Sequence, residues 1–303
     1  MESIYESPLT LAGVSLSLTI PLIVLFMRCL TVPQVSRART KQIIGKALST
    51  PVAHRADTPE NTLAGIRKAR SKGATVVEVD LTFTKDGHPV LLHDLTVDRT
   101  SDGKGRIDGM TLAEVKKLDF GSKFGSPGER IPTLYEAIEL CDQLDMAILL
   151  DVKSDTMRTL AVLKQLMAKN KNYYDRIIVA SFYPSLVYLV RFMDPLIMTA
   201  LCTRTSEFTY EMDGSNRHDR WWRQKLAPLY DAWLYVWTHG YFWRLAGFSI
   251  IFMYFGDITA EVQKYWMEKN IHLLAWTVNS KEEADKLVAM GIPVLTDDVT
   301  MMK

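Results

Sequence analysis

The chain is poor in several things, and each shortage closes off a class of function. Three cysteines, Cys29, Cys141 and Cys202, lie far apart and are odd in number, so neither a disulfide framework nor a zinc-ligand spacing is present. The charges nearly cancel, at +1 over 303 residues, which argues against nucleic acid as a partner, because a phosphate backbone demands a basic surplus. No Asn-x-Ser/Thr sequon occurs. With 23% charged and 48% hydrophobic residues, bulk disorder is excluded.

One charge-free run stands apart. Residues 8–27, "PLTLAGVSLSLTIPLIVLFM", would span roughly 30 Å as a helix, the thickness of a bilayer core. Glu2 and Glu6 precede it where a cleaved signal would carry bases, so a retained transmembrane anchor is the expectation and a signal peptide the alternative. Residues 28–49 hold Arg28, Arg37, Arg39, Lys41 and Lys46 and no acid, a basic juxtamembrane linker. This flank alone points to a cytosolic barrel.

From residue 50 to 303, apolar strand-like runs alternate with helical patterns: "PVAHR", then a helix over about 60–72, "ATVVEVDLTF", the hairpin "TKDGHPVLLHD", "MAILLDVK", "RIIVASF", "IMTALCT", "FSIIFMYF", "IHLLAWTVN" and "PVLTDD". "MTLAEVKKL" carries a capping box from Thr111 to Glu114, and "PTLYEAIELCDQL" begins with Pro132 near its first turn. About eight strand–helix repeats favour a (β/α)8 barrel, with an open doubly wound sheet as the alternative.

Residues 206–247 break the rhythm. Trp221, Trp222, Trp233, Trp237 and Trp243 are interleaved with Arg217, Arg220, Arg223, Lys225 and Arg244. Aromatics mixed with bases suit a membrane interface, so this reads as an insertion lying on the bilayer or capping the site. A buried structural insertion and a second membrane span over about 232–256 are the alternatives.

Polar residues collect at the ends of the apolar runs. His54-Arg55 end the first, Glu78-x-Asp80 the second, His93-Asp94 the hairpin, Asp151-x-Lys153 the next, and Trp276 closes "HLLAW". In a parallel barrel the carboxyl ends of the strands meet on one face, and residues two apart share a side. Glu78, Asp80 and Asp151 offer hard oxygen ligands for Mg²⁺, Ca²⁺ or Mn²⁺. Arg55 and Lys153 suit a phosphate, and His54 and His93 can divide acid and base duties. Together they form a phosphodiester-cleaving set. Taken singly, each has a plainer reading: Glu60 a first-turn helix acid, Asp94 a turn residue, Trp276 a core side chain. His88, His218, His239 and His272 lack such company and read as structural.

"AHR…PENTLAGIRKA", "GATVVEVDLTFTKDGHPVLLHDLTVDRTSDGKGRI", "IPTLYEAI", "LLDVK" and "AWTVN…G…LTDD" together resemble the glycerophosphodiester phosphodiesterase family. The anchor and the aromatic insertion are similar to its membrane-bound animal branch. The resemblance implies a (β/α)8 TIM barrel with a small insertion after the third strand, at residues 95–131. It implies hydrolysis of glycerophosphodiesters, glycerophosphoinositol above all, to sn-glycerol 3-phosphate and an alcohol, through the substrate's own 2-hydroxyl and a cyclic phosphate. It carries His54 and His93 over as the acid/base pair. Glu78, Asp80 and Asp151 become metal ligands, Arg55 and Lys153 phosphate contacts, with Trp276 on the substrate and Glu60 behind them. Asp151 stands where many relatives have Glu. The family usually reads His-Arg-Gly with a longer loop; here Ala56 replaces the Gly and only "ADT" separates Arg55 from Pro59. Two further readings follow: a lysophospholipase D acting on lysophospholipids or glycerophospho-N-acylethanolamines, and a silenced barrel that binds a signalling protein. The resemblance favours an endomembrane or plasma membrane, with the barrel on the luminal or extracellular side, against the charge flank.

Overall fold

A computed structural model describes residues 25, 28–55, 59–153, 155–211 and 214–302. The expected anchor at 8–27 lies outside the described residues except for Leu25. So does the "ADT" stretch, Ala56 to Thr58. Among the described residues, no helix is long and apolar enough to cross a membrane.

The strands are β1 (Val52–Ala53), β2 (Val76–Phe83), β3 (Pro89–Leu91), β4 (Ala147–Val152), β5 (Ile177–Ser181), β6 (Met198–Thr203), β7 (Ile250–Tyr254), β8 (His272–Trp276) and β9 (Leu295–Thr296). All but β3 run parallel, in the order β8-β7-β6-β5-β4-β2-β1-β9. A parallel bridge between Ala275 and Val294 brings β8 against β9 and closes the ring. This settles the barrel against the open sheet. The hairpin expected over "TKDGHPVLLHD" is present, turning through Gly87 (φ +83°); because it sends β3 back antiparallel along β2, that run is not the third strand of the parallel barrel, a place taken by β4.

The two-residue period of a strand sorts the core. Val76, Ala147, Leu149, Ile178, Ala180, Met198, Ala200, Ile250, Phe252, Leu274 and Leu295 fill the barrel interior. Their neighbours Val77, Val79, Leu81, Ile148, Leu150 and Val152 point outward onto the helices. Within residues 28–49, helix α1 (Arg37–Ser49) drives Ile43, Ile44 and Ala47 into the interior cluster, next to the first residues of the strands. It plugs the end opposite the site, and each buried Ile contributes about 1.5–3 kcal/mol.

Helix α2 is shorter than expected. It spans Leu63–Ser71, and Thr62 caps it by accepting from the Gly65 amide. Glu60 therefore precedes the helix and is not a first-turn acid. Two four-residue boxes fix the next entries: Thr111 with Glu114 at α3 (Leu112–Val115), as expected, and Thr133 with Glu136 at α4 (Leu134–Gln143). The second replaces the expected start at Pro132. Helix α5 (Thr156–Lys169) follows β4, and α6 (Pro184–Met193) begins at its proline. Residues 95–131 fold over a small core of Val97, Ile107, Val115, Phe120 and Ile131 against Val90 and Leu92.

The run over 232–256 that suggested a second span is several elements: the end of α7 (Trp221–Trp237), a π-turn (Thr238–Phe242), α8 (Trp243–Ala246) and strand β7. Helices α9 (Ala260–Met267) and α10 (Lys281–Ala289) complete the ring.

Candidate active site

The register of β2 against β4 sets Asp80 beside Asp151, both facing inward at the carboxyl ends of their strands. Glu78 lies one inward step below. Lys153 leans back over them, its Nζ 3.0 Å from Asp80 Oδ1 and 3.6 Å from Asp151 Oδ2. His54 follows β1 directly and donates its backbone N–H to the Thr296 carbonyl. Its Nε2 stands 3.5 Å from Glu78 Oε2 and its Nδ1 2.8 Å from Asp297 Oδ1. With Nδ1–H given to Asp297, the lone pair on Nε2 faces the carboxylates.

His93 arrives by another path. Because β3 runs back along β2, the Leu92 amide bonds the Asp80 carbonyl and His93 lands beside the cluster, its ring 6.4 Å from that of His54. Asp94 holds its Nδ1 at 2.7 Å and Arg99 Nε at 2.6 Å. Arg99 reaches on to Glu60, which also pairs with Arg55 Nε at 2.8 Å. Glu60 is thus a buried carboxylate between two guanidiniums, tying Arg55 to the 95–131 lobe. Trp276 forms a wall, its indole N–H donated to the Phe252 carbonyl and its ring set edge-to-face with Phe182, centroids 5.5 Å apart.

Four residues with no role in the sequence reading belong to the site. Asn61, at φ +58°, donates to Asp80 Oδ2 (2.6 Å) and accepts from the Asp80 amide (2.9 Å). Asp297 orients His54. Asn279 steadies Asp297 at 2.8 Å, and Arg99 links Glu60 with Asp94. Asp297 lies in the "LTDD" run, and the rule that polar strand ends meet on one face picks it out.

Burial, reinforced by Asp80 and Asp151, pushes the Glu78 carboxyl well above its ordinary range. Burial also pushes Asp151 up to about 7, against the opposing pull of Lys153. Asp80 moves the other way: burial would raise it, but Lys153, His93, His54 and the Asn61 amide outweigh that and lower it. Glu78 Oε2, Asp80 Oδ1 and Asp151 Oδ1 are buried, and among the described residues only the ion-pair contacts of Lys153 and His54 offset their charge. Such oxygens fit a hard divalent cation. The tightest candidate ligand group among the described residues is His54, Glu78 and Asp80, whose donor atoms lie within 4.8 Å of one another. Asp151 stands beside this group, turned to Lys153. The cluster floors a cavity of about 650 Å³ that also takes in Arg55, His93, Trp276 and, on the far rim, Glu207, Glu211 and Arg217.

Residues 53–301 match the glycerophosphoryl diester phosphodiesterase family. The chain is 36% identical to glycerophosphodiester phosphodiesterase 1 of Mus musculus over 275 residues, 88% of this chain and 83% of the mouse protein. It is 33% identical to the glycerophosphodiester phosphodiesterase of Caldanaerobacter subterraneus, over 82% of this chain and 93% of that one. Its fold matches an Oleispira antarctica phosphodiesterase solved with the product sn-glycerol-3-phosphate, at TM-score 0.64 and 25% identity, covering 89% of this chain and 94% of the other. A barrel whose sequence matches the family from its first strand to beyond its last belongs to the glycerophosphoryl diester phosphodiesterases, enzymes that hydrolyse phosphoric diesters.

Proposed function

We propose that the chain is a membrane-anchored, cation-dependent glycerophosphodiester phosphodiesterase that prefers glycerophosphoinositol or a related diester with a hydroxyl-rich leaving group. The carrying observation is the cluster of three buried carboxylates, Glu78, Asp80 and Asp151, faced by the single ammonium of Lys153. Glu78, Asp80 and Asp151 would hold Mg²⁺ or Ca²⁺ (Mn²⁺ also suits oxygen ligands), with the lone pair of the neighbouring His54 Nε2 kept for proton transfer. Bound there, the cation would withdraw charge from the phosphate oxygens. Lys153 and Arg55 add positive charge at the same mouth.

In this reading one histidine takes the proton of the glycerol 2-hydroxyl as that oxygen attacks phosphorus. The other protonates the leaving alcohol as its P–O bond breaks. A cyclic phosphate remains, and water opens it to sn-glycerol 3-phosphate with the histidines in exchanged roles. His93, at the rim, is the freer to exchange protons with solvent. The Oleispira phosphodiesterase holding that product supports this substrate half. The leaving-group preference is supported by the rim, where Arg217 pairs with Glu207 (2.7 Å) and Glu211 (3.2 Å) and Arg204 with Glu207 (3.2 Å), two cations against two carboxylates, which leaves polar recognition without net charge. The proposal keeps the anchor at residues 8–27 and an endomembrane or plasma membrane.

A second reading, a lysophospholipase D, is favoured by a side pocket of about 280 Å³. Phe208, Leu234, Tyr235, Met253 and Val262 line it, and it shares Phe182 and Glu207 with the main cavity. The deciding assay is turnover of glycerophosphoinositol with Mg²⁺, with and without chelator. Chelator-sensitive turnover abolished by His93→Ala supports the first reading. Turnover of a micellar lysolipid alone supports the second. No turnover of either leaves a silenced barrel that acts through a signalling partner.

A further inference from the structure

Helix α7 is amphipathic in the reverse of the usual sense. The face turned to the barrel carries Ala227, Asp231 and Leu234, and Asp231 is spent there, accepting from the Phe208 amide and the Thr209 hydroxyl. The outward face carries Trp222, Leu226, Leu229, Trp233 and Val236, spaced 4-3-4-3, with Leu229 and Val236 each 68% exposed. A helix in a folded domain ordinarily buries such a stripe. Nothing among the described residues covers this one.

Three observations fix what does. First, the charge is one-sided: from Arg220 to Ile250 the only acid is the inward Asp231 (Asp219 stands just outside). Arg220, Arg223, Lys225 and Arg244 are all exposed. Second, these bases sit on the aromatic rings, Arg223 5.2 Å over Trp222 and Lys225 5.4 Å over Trp221, an arrangement suited to the headgroup zone. Third, the described chain emerges on this side. The Val32 amide bonds the Leu245 carbonyl, the Tyr188 hydroxyl bonds the Leu30 carbonyl, and Arg191 bonds the Pro33 carbonyl. A side chain on Gly247 would meet the Val32 carbonyl at 2.1 Å. The apolar, uncharged residues 8–27 therefore precede a segment seated against the same insertion.

We propose that the outward face of α7 docks on an anionic bilayer surface, as a contact separate from residues 8–27. At 17 residues the helix is about 25 Å long, short of a span, and it lies in the interface with its apolar stripe down. Docking sets the barrel's orientation and brings the mouth of the side pocket, lined by the other face of α7, close to the lipid. The inference does not depend on which diester is cleaved.

The full chain is reconstituted into phosphatidylcholine vesicles, with or without phosphatidylserine, carrying brominated acyl chains that quench tryptophan on contact. Strong quenching is expected with phosphatidylserine, with most of it lost on adding salt. Replacing Trp221, Trp222 and Trp233 together by Phe should remove most of the quenching while leaving soluble-diester turnover intact. Arg220→Gln, Arg223→Gln and Lys225→Gln combined should abolish its dependence on phosphatidylserine. Equal quenching before and after the tryptophan changes would overturn the proposal. So would equal quenching in pure phosphatidylcholine, or a shielded face in a chain that self-associates without lipid contact.

Discussion

His54 Nδ1 and Asp297 Oδ1 stand 2.8 Å apart, joining the first barrel strand to the last. Burial opposes the charge on Asp297, but His54, then Asn279, hold its carboxyl below the usual range. The pair fixes which nitrogen of His54 faces Glu78. Asp297→Asn should lower kcat about 10–100-fold with little change in KM. It should also displace the pH–rate profile, which a merely structural residue would not. An unchanged kcat would deny Asp297 this positioning role.

Asn61 grips Asp80 at both its amide and its carboxylate from a left-handed backbone conformation. Asn61→Ala should destabilise the chain by about 1–3 kcal/mol and weaken cation binding about 10–100-fold. Asn61→Gly relieves the backbone but not the lost clamp. Recovery of melting temperature in the Gly variant without recovery of cation affinity, read by calorimetric titration, separates the two contributions.

Arg99 connects Glu60, whose side chain is 2% exposed, to Asp94. Removing it leaves Glu60, among the described residues, with Arg55 as its one cationic partner. Because Arg99 is itself 42% exposed, Arg99→Met should cost about 1–3 kcal/mol in denaturant melts, below the 3–5 of a fully buried pair. Adding Glu60→Gln should restore part of that loss. A strictly additive pair would mean the bridge carries no coupling.

Asp151, pushed up to about 7 by burial, makes the cation-free chain sensitive to pH. A carboxyl with a raised folded pKa binds its proton more tightly folded than unfolded. Its stabilising contribution is full below about pH 4 and is lost as pH climbs through about 7. In chelator, wild type should melt progressively lower across that window. Asp151→Asn should flatten the slope and exceed wild type by about 1–3 kcal/mol at pH 8. Mg²⁺ should reverse the order. A wild-type chain that melts at one temperature from pH 4 to 8 would contradict this account.

Much of the barrel was readable because strand alternation and helix caps are local. The Thr111 box and the β2 hairpin stand where the spacing put them. The polar strand ends, from His54 to Trp276, converge because one topological rule gathers them. What escaped was long-range. That Glu60 answers Arg99 across 39 residues and that Asp297 meets His54 across 243 are facts of lobe packing and ring closure. No window of sequence contains both partners. Asn61 escaped for another reason: its role rests on a positive φ that Pro-Glu-Asn-Thr does not announce.

The ring is fastened most lightly around β1 and β9. β2 and β4 share six residue pairs, whereas β1 holds β2 through one and β9 through two, and β8 meets the start of β9 through one bridge. β9 is also the last barrel strand the ribosome delivers. The carboxylate floor of β2 and β4 can therefore assemble early, while His54 gains its Asp297 partner only at the final seam. Competence is acquired at the end of folding and surrendered at the first local opening. Amide protons at His54 and Val278, which bond across that seam, should exchange ahead of those in the β2–β4 ladder.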